Sequence, residues 1–315
     1  MTDFWAGKRV IVTGGHGFLG SHLVPMLQAA GANVFYPKHR DYDLTNVVIL
    51  NRMFLALRRP DVLFHLAAVV GGIGANANHP CDFYAQNTLM NTLIVEAARQ
   101  HNVGKFIGVG TVCAYPKHTP SPFVEANLWE GYPEETNAPY GVAKRGLLVH
   151  LQAARKQYDF NGIYLIPTNL YGPGDNFDPA TSHVIPALIR KIDEAQQAGA
   201  PSITVWGTGS AGRDFLYVED CARALMLAAE FYNSGEPVNL GSGEEICIHG
   251  LVEILKGIMD YHGAVEYDAG KPDGQPRRVL NTTRAMDSFG WRAETELIEG
   301  LARTVEAWRN TSTNS

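Results

Sequence analysis

Eight residues near the start of the chain constrain its fold more than any others: Thr13-Gly14-Gly15-His16-Gly17-Phe18-Leu19-Gly20. They follow a β-branched run over 9–13 and precede an amphipathic stretch over 21–30, closed by Gly31; the next apolar run is 33–36. Strand, glycine turn, helix and strand form a βαβ unit of about 30 residues, whose parallel strands need a right-handed crossover. The spacing T-G-x-x-G-x-x-G is one residue wider at its first gap than G-x-G-x-x-G. Its glycines permit a tight turn, and the helix behind it offers amide donors and a positive dipole end to a pyrophosphate. Such a string is weak alone. Between a first strand and a first helix, it predicts dinucleotide binding.

The alternation continues. Residues 61–66, 105–110 and 163–166 read as buried strands, and 82–100 and 139–158 as long helices. Repeated βα units imply an α/β fold with a doubly wound parallel sheet of the Rossmann kind. After Asn169 the texture changes: Pro173, Pro179 and Pro186 break the rhythm, and Gly207, Gly209 and Gly212 mark a loop-rich segment. Short β-like runs return at 203–206 and 237–240. The later part therefore reads as a second, smaller, mixed α/β substrate domain, with some segments returning to the sheet. The expected division is 1–172 plus about 213–242 for the dinucleotide domain, and about 173–212 plus 243–315 for the substrate domain.

Composition narrows the function. The 315 residues are 45% hydrophobic and 18% charged, with a net charge of −6. No Lys/Arg cluster stands out, which argues against nucleic acid or an anionic membrane as partner. No apolar run approaches the ~20 residues that span a bilayer, and the first residues lack a secretory pattern. Cys81, Cys113, Cys221 and Cys247 have neither zinc-site nor disulfide-framework spacing and fit a reducing cytoplasm, so no metal is expected. The other three cysteines fall outside the motifs that surround Cys113 and read as packing residues.

The end of the second strand selects the cofactor. A carboxylate there would hold a ribose 2′-hydroxyl, and cations a 2′-phosphate. The chain offers Lys38-His39-Arg40, with Asp41 and Asp43 only afterwards, which favours NADP(H). Further on, Tyr140 and Lys144 form Y-x-x-x-K on a predicted helix and share one of its faces. There an ammonium can depress the phenol pKa and hold a ribose, so that Tyr140 delivers a proton as hydride arrives from nicotinamide. Thr111 stands just after a strand.

Thr111, Tyr140 and Lys144 resemble the Ser/Thr-Tyr-Lys triad of the extended short-chain dehydrogenase/reductase superfamily. Further strings resemble the GDP-L-fucose synthase family, in family order over nearly the whole chain: Gly71-Gly72-Ile73-Gly74-Ala75-Asn76, Cys113-Ala114-Tyr115-Pro116-Lys117, Pro167-Thr168-Asn169-Leu170-Tyr171-Gly172-Pro173, Asp175-Asn176-Phe177, Ser182-His183-Val184-Ile185-Pro186-Ala187-Leu188, Val205-Trp206-Gly207-Thr208-Gly209 and Lys271-Pro272-Asp273-Gly274. The resemblance implies an NADPH-dependent epimerase–reductase acting on GDP-4-keto-6-deoxy-D-mannose, working as a homodimer paired through the two long helices. It implies Cys113 as base and His183 as acid, with Thr111 and Tyr140 polarising the carbonyl. By residue type alone, Cys113 would be a buried filler and His183 a loop histidine. Implied cofactor contacts are Gly14, Gly17, Phe18, Leu19, Gly20, Lys38, Arg40, Asp43, Leu44, Val109, Lys144, Pro167, Asn169, Leu170 and His183. Asn169, Lys191, Trp206, Arg213 and Asp273 are implied for the nucleotide-sugar. Of these, a guanidinium suits diphosphate best chemically.

Three positions depart from the pattern: His16 and Val69 stand where many bacterial members carry Arg and Lys, and Thr111 replaces a serine. They leave open a reductase-only or epimerase-only enzyme on another NDP-4-keto sugar, such as a GDP-heptose. A third reading is a non-catalytic dinucleotide sensor, which would have no need of Thr111, Tyr140, Lys144, Cys113 and His183 together.

Overall fold

A computed structural model describes residues 3–57, 59–271 and 273–312; Pro272 of the Lys271–Gly274 string lies outside them. The chain begins β1 (Arg9–Thr13), α1 (Phe18–Ala29), β2 (Asn33–Phe35), α2 (Val47–Leu57), β3 (Val62–His65), α3 (Ile73–Asn78), α4 (Pro80–Gln100), β4 (Lys105–Val109), α5 (Ala138–Tyr158) and β5 (Gly162–Pro167). It continues through β6 (Asn169–Tyr171), α6 (Val184–Ala198), β7 (Ser202–Trp206), β8 (Gly212–Arg213), β9 (Phe215–Tyr217), α7 (Val218–Phe231) and β10 (Val238–Leu240). The last elements are β11 (Ile246–Cys247), α8 (Ile248–Met259), β12 (Ala264–Asp268), β13 (Arg277–Arg278), α9 (Thr283–Phe289) and α10 (Leu297–Ser312).

A six-stranded sheet runs in the order β10-β5-β4-β3-β1-β2, with parallel pairing throughout. Strand order reverses between β1 and β3, and the crevice above that point is where open α/β sheets take ligands. Its central strands are buried on both faces, which explains their continuous apolar runs. On one face Val12, Leu23, Leu27, Phe64, Ile107, Leu225 and Trp291 interlock α1 and α7 with the strands. On the other, Leu50, Phe54, Ile94, Phe106, Leu147, Leu151 and Tyr164 do the same for α2, α4 and α5. Each such side chain, fully buried, contributes about 1.5–3 kcal/mol.

A third core gathers Ile185, Ile189, Ile192, Leu251, Leu255, Leu301 and Val305 from α6, α8 and α10. Against it lie β7 paired with β12, and a three-stranded sheet in the order β11-β8-β13. The run at 237–240 does return to the large sheet, as β10 beside β5. The segment α9 packs there too, with Ala285 and Phe289 in the first core.

Local chemistry sets the helix ends. Pro80 opens α4 and Pro139 falls in the first turn of α5, where a missing N–H costs nothing. Gly199 closes α6 in the left-handed conformation. The first helix begins at Phe18 rather than at residue 21, because Gly17 already serves as its N-cap. Of the ten α-helices among the described residues, α1, α4 and α5 were expected individually from the sequence; α2, α3 and α6 to α10 were not. Among the described residues, no helix is long and apolar enough to cross a membrane.

Candidate active site

The glycine turn is built by close contacts. Gly14 has φ +72°, which side-chain-bearing residues rarely adopt, and a Cβ there would lie 2.7 Å from the Ala67 amide nitrogen. A Cβ on Gly20 would stand 2.3 Å from the Gly14 carbonyl oxygen, so α1 rests directly on the turn. No side chain caps α1, which leaves its first amides for an anion.

This turn forms one end of a cavity of about 1060 Å³. The cavity passes the ends of β4 and β5 and reaches α6, β7 and the 273–278 segment. Gly14, Gly17, Phe18, Leu19, Gly20, Lys38, Asp43, Leu44, Val109, Pro167, Asn169, Leu170 and His183 all line it. So do Thr111, Cys113 and Tyr140 at its middle, and Lys191, Trp206, Arg213 and Asp273 at its far end.

Two expected residues do not line it. Arg40 projects into solvent with its guanidinium 3.5 Å from the Asp41 carboxylate, because the 38–42 turn rotates it outward. His39 lines the cavity beside Lys38 instead. Lys144 lies behind the wall, 1% exposed, and donates from Nζ to the Val109 carbonyl at 2.9 Å. His16, which also lines the cavity, packs against Tyr36 with ring centroids 4.8 Å apart.

The middle of the cavity is held by α5 and the loop after β4. A Cβ on Gly141 would lie 2.6 Å from the Cys113 carbonyl oxygen, so α5 backs directly onto that loop and sets Tyr140 beside it. The Thr111 Oγ1 accepts from the Cys113 amide at 3.2 Å, which leaves its own proton free to donate. Lys144 is held down to a pKa of about 8 by burial. Tyr140 departs from expectation: burial, then the electrostatic influence of nearby Cys113, raises its phenol above the ordinary value. Lys144 Nζ, 5.8 Å from the ring centroid, does not offset that burial. Deeper still, His65 bonds Thr13 Oγ1 at 2.8 Å and Asn91 Oδ1 at 3.0 Å, and burial lowers its pKa to about 3. It is a neutral structural link between sheet and α4.

His183 is the N-cap residue of α6. Burial by the surrounding protein, then the Arg278 charge, hold its pKa below the usual histidine value. Its side chain is nonetheless exposed to the cavity. At the far end, Arg213 donates to the carbonyls of Gly212, Gln275 and Asp273, and burial, then Arg278, bring its pKa to about 10. Asp273 accepts from the Thr208 amide and hydroxyl, holding the 207–210 loop. Trp206 is 59% exposed, with Lys191 Nζ 5.9 Å and Lys271 Nζ 5.3 Å from its ring centroid. The Asn169 amide donates to the Asp214 carbonyl, and Lys191 to that of Thr204.

Sequence reasoning assigned no role to His39, which it had in view, and missed Gln275 and Arg278; all three line the cavity. The doublet Arg277-Arg278 after a glycine turn was the available signal for the last. The expectation of buried packing fails for Cys81 and Cys247, which are exposed; Cys247 Sγ accepts from the Gly250 amide at the start of α8.

Residues 10–241 match the model of the NAD dependent epimerase/dehydratase family. A curated GDP-L-fucose synthase of Sinorhizobium fredii is 40% identical over 302 residues, covering 96% of each chain. That of Escherichia coli is 38% identical over 309 residues, covering 95% of this chain and 96% of its own. The chain belongs to this family, in its GDP-L-fucose synthase branch. Another GDP-L-fucose synthetase, from Naegleria fowleri and solved bound to NADP, superposes with a TM-score of 0.86 at 28% identity, covering 98% of this chain and 96% of that one.

Proposed function

We propose that the protein is an NADPH-dependent epimerase–reductase that converts GDP-4-keto-6-deoxy-D-mannose to GDP-L-fucose. The observation that carries this reading is one continuous cavity. It joins the dinucleotide turn to Thr111, Cys113, Tyr140 and His183, and then to the basic, tryptophan-bearing end.

The residues fit NADP. The close-packed Gly14–Gly20 cradle and the uncapped α1 amides suit its pyrophosphate, while Lys38 and His39 line the adjoining wall where a 2′-phosphate would lie. Val109, Pro167, Asn169 and Leu170 would flank the nicotinamide half. When bound, the reduced cofactor supplies hydride to C4 of the sugar.

The chain's own groups do the rest. A ketone at C4 acidifies the C3 and C5 hydrogens, because the electron pair left behind is delocalised as an enolate. Cys113 would take the proton on one face and His183 return one on the other, inverting the centre. The Thr111 hydroxyl, with its proton unspent, and the Tyr140 phenol would hydrogen-bond the oxygen where charge gathers. Tyr140 held in its protonated form suits the last step, in which it gives its proton to the C4 oxygen. Arg213, Lys191 and Trp206 would hold the diphosphate and base.

The proposal extends to assembly and location. Tyr84 and Leu89 on α4, and Val149 and Tyr158 on α5, are exposed apolar side chains that support pairing of two copies through these helices. Light scattering should give a dimer; a monomer at micromolar concentration removes that part. Free cysteines throughout support a cytoplasmic setting. The two-lobe division, 1–172 plus about 213–242 against about 173–212 plus 243–315, is supported by the third core of α6, α8 and α10, though Tyr171, Phe215 and Tyr217 of the first lobe share that core and α9 packs with the first lobe.

The test is incubation with NADPH and a panel of NDP-4-keto sugars, with product stereochemistry read by NMR. GDP-L-fucose from the GDP-4-keto-6-deoxymannose arm is expected. Turnover confined to another sugar, or reduction without inversion, would replace this reading with a reductase on a related substrate; no turnover in any arm would favour the sensor.

A further inference from the structure

We propose that Arg278 is a positioning residue for the base of the epimerisation, holding the Cys113 sulfur in the anionic form that accepts a proton. The proposal rests on the reading of Cys113 as that base. It begins with strand register. Arg278 in β13 is the parallel partner of Arg213 in β8, so two guanidiniums are set side by side on one wall of the cavity. They are used differently. Arg213 spends its donors on three backbone carbonyls, whereas Arg278 donates from Nη1 to Cys113 Sγ at 3.6 Å.

Arg278 is 9% exposed, and among the described residues no carboxylate is paired with it. A cation this buried needs a compensating charge nearby, and the ionisable side chain it contacts is the thiol. Its aim is fixed rather than incidental. Gln275 Oε1 accepts from Arg278 Nε, and Gln275 Nε2 donates to the carbonyls of Pro116 and Lys117, on the loop that carries Cys113. One buried amide therefore clamps the arginine and the cysteine loop together. The other groups bearing on this sulfur are the Tyr140 phenol on α5 and the Arg213 guanidinium on β8; the Arg278 charge also reaches His183 at the head of α6. A guanidinium that served only a substrate phosphate would not need a thiol as its neighbour.

Alkylation by iodoacetamide tests this on the whole protein without cofactor or substrate. The reagent is uncharged, so removing a cation does not alter its approach, and it reacts with thiolate rather than thiol. Cys81 and Cys247, both exposed, serve as references read in the same digest by mass spectrometry. In Arg278→Gln, labelling of Cys113 near neutral pH should fall roughly tenfold or more and approach the wild-type rate in strong base, with the references unchanged. Arg278→Lys should restore most of the reactivity, which a merely structural role would not require. Solvent deuterium exchange at C3 and C5 should lose kcat in Arg278→Gln with KM little changed. Equal labelling of Cys113 in wild type and Arg278→Gln across the pH range would overturn the proposal. So would a loss confined to KM, which would make Arg278 a substrate contact. Arg278-dependent labelling together with no exchange by wild type would leave the ion pair standing and overturn its assignment to epimerisation.

Discussion

Lys144→Met should make the protein more stable, or leave it equally stable, near neutral pH. The Lys144 ammonium is 1% exposed, and burial lowers its pKa from the ordinary 10.5 to about 8. At about 1.4 kcal/mol per unit, holding that charge in the fold costs about 3 kcal/mol below pH 8. Met fills a similar volume without charge. It forfeits the bond from Nζ to the Val109 carbonyl, a loss of about 1–3 kcal/mol. The net change near pH 7 is therefore between zero and about 2 kcal/mol in favour of the variant. The sign with pH follows from linkage. Between about pH 8 and 10.5 the unfolded chain still holds the proton that the folded chain has released, so this group adds stability as pH rises through that window. The variant lacks the gain, so its advantage should close and then reverse by pH 10.5. Urea unfolding followed by tryptophan fluorescence at several pH values reads the difference, in which other groups cancel. A variant weaker by more than about 2 kcal/mol at pH 7, or a difference that does not change with pH, would refute the assignment of a buried charge to Lys144.

Lys38→Ala should cut the preference for NADPH over NADH, measured as the ratio of kcat/KM values, while Arg40→Ala changes it little; the reverse order would return the 2′-phosphate to Arg40. Gly20→Ala, whose Cβ would meet the Gly14 oxygen at 2.3 Å, should cost about 1–3 kcal/mol of stability and weaken NADPH binding in a fluorescence titration. An unchanged titration would remove the turn from the cofactor site. Tyr140→Phe should lower reduction about 10²–10⁴-fold while deuterium exchange at C3 and C5 survives, and equal loss of both would mean that the phenol is needed for enolate formation as well.

The glycine turn was legible because its spacing is a steric demand: Gly14 and Gly20 admit no Cβ. Though α4 begins at Pro80 rather than at residue 82, the helices α4 and α5 were legible from their length, and α5 also from its proline start. The helix α2 was not, because Val47, Val48 and Leu55 are apolar yet exposed, and they mask the period of Leu50, Met53 and Phe54 beneath them. Lys38, His39 and Arg40 were all in view, but the turn at 38–42 decides which of them faces the cavity, and no local pattern encodes that. Arg278 was hidden for a related reason. In a two-residue strand the side chains alternate, so Arg277 pairs outward with Glu245 while Arg278 points inward at Cys113. Composition makes the pair look identical. The union of Cys113 with His183, seventy residues apart, came from the family resemblance, and the structure sets both on one cavity.

The central claim is that one cavity both inverts carbon centres and reduces the ketone. The direct measurement is turnover of GDP-4-keto-6-deoxymannose with NADPH in D2O, reading deuterium at C3 and C5 of the product by NMR. Wild type should give GDP-L-fucose carrying deuterium at both carbons. Cys113→Ser, whose hydroxyl ionises far less readily than a thiol, should lose exchange about 10²–10⁴-fold yet still reduce the uninverted ketone. A wild-type product reduced at C4 with no deuterium at C3 or C5 would contradict the account and leave the protein a plain reductase. Exchange at the wild-type rate in Cys113→Ser would remove Cys113 from the chemistry altogether.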